Sequence, residues 1–302
     1  MCGLFGFSSY GDGMKNLSTL TNSLAEQSAA RGTDATGIAF NENGKLKIIK
    51  DGKSAYELDF NHGDGIRAMI GHTRHSTKGS EKKNFNNHPF QGKVGGMNFA
   101  LAHNGVLYND DELRESLKLT KTKIETDSYV AAQLLMSQKA IDFDAIRYMA
   151  EKIRGSFSFS ILDGADNIYL VKGDSPLHVL HFPKLQIYVY ASTEAILFKA
   201  LVDSPLFDSM KSGDYVEIAV FEGDILKISP DGTLDKSRFD FCTYFGRGWW
   251  DIDLSREINV TEEYIEDLKY MAMFQGIDPE EIDALIADGF TYDEIEEYLY
   301  GV

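Results

Sequence analysis

Cys2 stands directly behind the initiator methionine and is followed by Gly3. A thiol attacks a carbonyl carbon only as the thiolate, and a free cysteine keeps its proton up to a pH of about 8.5. Removal of Met1, which small second residues allow, would give the cysteine its own base. Its new α-amine, with a pKa of about 8, can take the thiol proton directly or through one water. Gly3 would let the backbone bend and a substrate come close. A cysteine at position two is common by accident, so the chemistry depends on what accompanies it.

Five polar segments do. Arg-Gly-Thr-Asp-Ala-Thr-Gly at 31–37 ends a helical stretch and enters a strand. Gly-His-Thr-Arg-His-Ser-Thr-Lys-Gly at 71–79 follows a strand and leads into a polar loop, which Asn-Asn-His-Pro at 86–89 closes. His-Asn-Gly at 103–105 terminates an apolar strand, and Glu-Thr-Asp-Ser at 125–128 opens a helix. Singly, each has an ordinary reading. Arg74 would be a surface or ion-paired arginine, Asp127 a helix cap, and Asn104-Gly105 a turn dipeptide. His72, His75, His88 and His103 lack Cys, Asp or Glu partners at ligand spacing. Structural hydrogen bonding is expected of them, with no metal and no cofactor.

In order and spacing, these segments and Cys2-Gly3 resemble the glutaminase domain of class II glutamine amidotransferases, which are N-terminal nucleophile hydrolases. The pattern is similar to the glutaminase halves of glucosamine-fructose phosphate synthase and amidophosphoribosyltransferase. It continues more weakly through 173–177, 191–197 and 213–217, and so covers about residues 2–230. The resemblance implies that the Cys2 thiolate attacks the side-chain amide of glutamine. The Asn104 side chain and the Gly105 N–H would hold the oxyanion. Arg74 would clamp the α-carboxylate and Asp127 the α-ammonium, with Thr77 lining the pocket. Arg31, Gly32, Asp34, His72 and His103 would support the site. Two residues depart from the pattern: His75 replaces a frequent Trp or Phe, and Lys78 a frequent His. Both lie in the loop expected to close over glutamine.

The elements that must carry these residues are short β-type runs: 4–7, 37–40, 46–50, 68–71, 98–103, 156–162, 168–172, 187–191 and 216–221. Gly, Asn and Asp separate many of them, which favours hairpins over parallel crossovers. Helical stretches interrupt them near Leu17, Leu20 and Leu24, at 127–137 and at 143–153. Strand groups with helix groups between them indicate an α+β fold. The resemblance sharpens this to a four-layer αββα sandwich of antiparallel sheets. Residues 2–240 would form that domain. Residues 241–302 would form a small acidic α-helical module, with helices starting near Thr261, Asp278 and Thr291. Met271, Met273, Phe274, Leu285, Ile286, Phe290, Ile295 and Leu299 supply its apolar side chains. It would cap the body or dock a partner, and Trp249 and Trp250 lie where the two meet.

The chain carries a net charge of −17, and 16 acidic against 2 basic residues fall between Asp251 and Val302. The other 250 residues are close to neutral at −3, so no basic excess exists to displace counterions from nucleic acid. No run approaches the ~20 apolar residues of a membrane span. Two cysteines form no disulfide framework, so a reducing cytoplasm is expected. No P-loop occurs. Residues 241–302 are too few for a synthase domain, so a separate synthase or acceptor protein is the expected destination of ammonia. Self-association is left open. Two other readings stay open: a glutamine-binding sensor or scaffold, and an N-terminal-cysteine amidase acting on another amide.

Overall fold

Apolar residues at alternate positions build two antiparallel sheets in the structure, a computed structural model. It describes residues 2–11, 14–63 and 65–241, together with 277–290 and residues 265, 268, 269, 272, 295, 298 and 299. The strands are β1 (Gly3–Ser9), β2 (Ala35–Glu42), β3 (Lys45–Asp51), β4 (Ala68–Arg74), β5 (Phe90–Val94), β6 (Met97–Leu107), β7 (Gly155–Asp163), β8 (Ile168–Lys172), β9 (His178–Phe182), β10 (Ile187–Ala191), β11 (Val216–Ile218), β12 (Asp224–Ile228) and β13 (Leu234–Arg238). The first sheet runs β11-β9-β10-β1-β4-β2-β3 and the second β13-β12-β8-β7-β6-β5. β1, which Cys2 precedes, is thus the middle strand of its sheet.

Helices cover the outer faces. On the first sheet, α1 (Leu17–Ser28) and α5 (Glu194–Val202) pack on Phe5, Phe7, Ile38 and Val189. Leu17, Leu20 and Leu24 of α1 are buried there, as their spacing predicts. On the second sheet, α2 (Asp110–Ser116), α3 (Tyr129–Met136) and α4 (Phe143–Lys152) pack on Phe99, Leu101, Phe159 and Val171. A short α6 (Phe207–Lys211) follows α5. A third core fills the space between the sheets: Leu4, Ala39, Ile70, Ala100, Ala102 and Leu170 are among its members. The layers are therefore helix, sheet, sheet, helix.

This third core assigns each strand's faces. Successive side chains alternate sides. In β1, Phe5 and Phe7 face the helices and Leu4 faces the gap, so Cys2 continues on the gap side. In β4, Ala68 and Ile70 line the gap, and His72 and Arg74 follow. In β6, Ala100 and Ala102 line the gap from the opposite wall, and Asn104 follows. Binary alternation alone thus brings Cys2, Arg74 and Asn104 to facing walls.

Cα proximity divides the molecule into Met1–Phe241 and Cys242–Val302. In the second unit, α7 (Pro279–Ala287) starts where the sequence predicts. Asp278 caps it, accepting from the Glu280 N–H at 3.0 Å, with proline at the first helical positions. Leu268, Ala272, Ile282, Ile295 and Leu299 are buried. Leu285 and Ile286 are only half-buried. Phe290, expected in this core, is 48% exposed, because it follows Gly289 beyond the helix end and leaves the helical stripe. Met271, Met273, Phe274, Trp249, Trp250 and the helix starts at Thr261 and Thr291 lie outside the described residues. Among the described residues no helix is long and apolar enough to cross a membrane.

Candidate active site

Cys2 is half-buried, and its thiol donates weakly to the His75 carbonyl at 3.5 Å. Its backbone carbonyl accepts from Arg31 Nε at 2.7 Å. Arg31, buried in the single turn after α1, thus holds the Cys2 backbone directly. Burial pushes the Cys2 thiol above its ordinary pKa, while the charges of Arg74 and Arg31 pull it back. Packing requires glycine at position 3: a Cβ there would meet Thr73 Oγ1 at 2.6 Å and Ser28 O at 3.1 Å.

Arg74 ends β4 beside Cys2, and register places it opposite Ala35 of β2. Gly32 lies against it so closely that a Cβ would sit 2.4 Å from the Arg74 carbonyl carbon. Asp34 ties down the next turn twice, donating its N–H to Arg74 O at 2.9 Å and accepting Ser76 N–H at 2.7 Å. The Arg74 side chain is buried. Nη1 donates to Asn87 Oδ1 at 2.7 Å, and Nη2 to Lys78 O at 2.8 Å and Gly79 O at 2.7 Å. Three of its five N–H groups are used, leaving Nε and one on Nη1. Burial lowers its pKa, opposed by the charges of Cys2, Asp127, Asp34 and Glu81, which places these groups around one cation.

Facing this wall, Asn104 is 1% exposed, and its Nδ2 has no hydrogen-bond partner among the described residues. A buried amide N–H without a partner costs roughly 1–3 kcal/mol. Gly105 has φ 126°, and a Cβ there would lie 2.1 Å from Ser156 O of β7. Gly155 answers it with φ 134° and a Cβ position 2.0 Å from Val106 O. Glycine at 105 is therefore required by the neighbouring strand. Gly155 carries no signal in the sequence, because its role depends on the β6–β7 pairing.

Two histidines fasten the walls. His72 Nε2 donates to the His103 carbonyl at 2.9 Å, joining β4 of one sheet to β6 of the other. His103 Nε2 donates to Ser156 O at 3.3 Å, so its Nδ1 accepts from Ser128 Oγ at 2.7 Å. Burial lowers the His103 pKa to about 4 and that of His72 well below the usual value, so both are neutral at pH 7. Among the described residues no group of His, Cys, Asp and Glu could hold a metal ion.

Asp127 sits between β6 and α3, 3% exposed, and its Oδ2 accepts Leu107 N–H at 2.7 Å. The residues before it are locked to the Asn86 segment. Asn86 Nδ2 donates to Glu125 Oε2 at 2.9 Å, Glu125 N–H to Asn86 Oδ1 at 2.9 Å, and Thr126 Oγ1 to Asn86 O at 2.8 Å. Lys78 pairs with Asp110 at 2.9 Å and Asp111 at 3.3 Å, pinning the 75–80 turn to the start of α2. Thr77 is exposed on that turn and is not drawn among the buried groups.

Residues 72–199 match the family model of a glutamine amidotransferase domain. A glutamine–fructose-6-phosphate aminotransferase of Staphylococcus epidermidis RP62A is 36% identical over 189 residues, which is 59% of this chain and 30% of that protein. The corresponding protein of Staphylococcus aureus Mu50 is 35% identical over 192 residues, with the same coverage. The chain thus matches about a third of the length of these relatives. In fold, the chain is similar to a glutamine phosphoribosylpyrophosphate amidotransferase from B. subtilis complexed with ADP and GMP. The TM-score is 0.63 at 21% identity, covering 80% of this chain and 50% of that one. A structure of the allosteric regulatory enzyme of purine biosynthesis aligns with TM-score 0.62 at 22% identity, covering 90% and 58%.

Proposed function

We propose that this amidotransferase domain hydrolyses glutamine to glutamate and ammonia through Cys2, with Met1 removed in the active form, and passes the ammonia to an acceptor or partner synthase. The observation that carries the reading is the unpartnered Asn104 Nδ2, buried on the wall opposite Cys2. A donor kept without a partner at a folding cost is the arrangement an oxyanion uses. The Cys2 amine takes the thiol proton, and the thiolate adds to the amide carbon. The oxygen gains negative charge against Asn104 Nδ2 and the Gly105 N–H. The ammonium of Cys2 returns the proton to the leaving nitrogen, ammonia departs, and a glutamyl thioester remains. Water then cleaves the thioester and regenerates the thiol.

Asp127 keeps one carboxylate oxygen bonded to Leu107 and offers the other to the substrate ammonium. Arg74 takes the carboxylate. Its remaining N–H groups lie on opposite sides of the guanidinium, so a two-point grip requires Lys78 O or Gly79 O to yield an Nη2 hydrogen. Thr77 reaches the substrate only by movement of that turn.

The burial-raised Cys2 thiol favours a second reading, a glutamine-binding scaffold with little turnover. The test is glutamate release by wild type and Cys2→Ala, with covalent labelling by an electrophilic glutamine analogue. Turnover and Cys2 labelling in wild type, both lost in Cys2→Ala, are expected. Glutamine binding without turnover or labelling would establish the scaffold, and turnover undiminished in Cys2→Ala would remove the mechanism.

A further inference from the structure

Lys50 carries no signal in the sequence, yet it reaches the candidate site through one intermediary. It lies on the gap side of β3, opposite Gly37, which itself pairs with His72 on β4. At Gly37 a Cβ would meet His88 O at 2.3 Å and Lys50 Cβ at 2.6 Å. The missing side chain therefore lets segment 87–89 lie flat on the sheet, within reach of Lys50. Lys50 Nζ donates to the carbonyls of Asn87 and Pro89, the latter at 3.0 Å, and lies 5.3 Å from the Phe90 ring centre. Asn87 is wholly buried; its side chain donates to Glu81 O at 2.8 Å and accepts from Arg74 Nη1 at 2.7 Å.

We propose that Lys50 is a positioning residue for glutamine: by holding the Asn87 backbone it aims the Asn87 amide that orients Arg74 toward the substrate carboxylate. The proposal rests on the reading of Arg74 under the proposed function. Both bonds from Lys50 are charge-assisted and act on a buried partner, where geometry is transmitted with little slack.

The same placement makes the device sensitive to pH. The groups facing Lys50 are Arg74 and His72 from β4 and His88 from the overlying segment. Burial keeps both histidines neutral, so Arg74 is the charge Lys50 meets. Burial and that charge lower the Lys50 pKa to about 8. Below this pH the ammonium grips both carbonyls; above it the charge assistance is lost and glutamine affinity falls.

The test is steady-state glutamine hydrolysis from pH 6.5 to 9.5 with wild type, Lys50→Met and Lys50→Arg. Lys50→Met removes both bonds and is expected to raise KM about tenfold at pH 7 with kcat little changed, the equivalent of one weakened contact between Arg74 and the substrate carboxylate. Lys50→Arg is expected to keep the wild-type KM at pH 7 and to lose the rise in KM centred near pH 8. Titrations of the glutamine amine and the Cys2 amine are common to all three proteins, so the comparison isolates Lys50. An unchanged KM in Lys50→Met, an equal fall in kcat, or identical KM profiles for wild type and Lys50→Arg would overturn the proposal. The last comparison stands even where Lys50→Met folds poorly. A wild-type protein that neither binds nor hydrolyses glutamine overturns the functional reading instead, before Lys50 is reached.

Discussion

Replacing Asn104 by alanine should separate stability from catalysis in opposite directions. Truncating a wholly buried side chain ordinarily destabilises a protein. Here the truncation also removes a buried Nδ2 that has no partner, and with it a folding cost of roughly 1–3 kcal/mol. That gain offsets the packing that the side-chain amide group supplied, so the variant should unfold within about 1 kcal/mol of wild type or be more stable. The same change removes one of the two oxyanion donors proposed above, for which a typical loss is about 3–4 kcal/mol of barrier, or roughly 10²–10³ in kcat. KM for glutamine should move little, because the donor acts on charge that develops after binding. The assays are urea unfolding and glutamate release over a range of glutamine concentrations. A variant several kcal/mol less stable, with kcat within threefold of wild type, would make Asn104 an ordinary structural amide.

Gly105→Ala should be far more harmful than a methyl group suggests. At φ 126° a side chain costs about 1–3 kcal/mol, and the Cβ would sit 2.1 Å from Ser156 O, so β6 must pull away from β7. A melting temperature equal to wild type would contradict this pairing. Stability should also fall in acid. His103 binds a proton near pH 6.5 when unfolded but only near pH 4 when folded, so its contribution is fully present above pH 6.5 and is lost as pH falls toward 4. A shift of that size is worth about 3 kcal/mol. Unfolding free energy measured from pH 7 to 4 should decline accordingly, and a flat profile would show that His103 titrates normally.

The body of the fold was legible because its strands advertise themselves. β1, β4 and β6 combine short apolar runs with Gly or Asn at or beside their ends, and α1 shows a leucine face. The elements that stayed hidden lack such a signal. β13 (Leu-Asp-Lys-Ser-Arg) has one apolar residue and is a strand because β12 offers it a ladder. β5 does alternate, with Phe90, Gly92 and Val94 buried, but it is five residues long and follows a polar loop. α5 starts with a Thr193 cap whose side chain accepts the Ile196 N–H, yet its all-round apolar sequence Ala-Ile-Leu-Phe blurs helix and strand.

At the site, the chemical inventory is legible in the chain itself: a second-position thiol, an amide next to glycine, an arginine and an aspartate, in an order that resembles class II glutamine amidotransferases. These are local properties of residue type and spacing. How the groups are employed depends on contacts made in three dimensions. The tertiary structure showed that three of the Arg74 N–H groups are committed to its own loop, that Gly105 is dictated by Ser156, and that Asn104 Nδ2 is a buried amide donor without a partner among the described residues. It also brought Lys50 and Asn87 into the site across 37 residues of chain. The reason is that hydrogen-bond satisfaction and close approach are sums over neighbours. Those neighbours come from both sheets and the loop laid between them, and no window of sequence contains them.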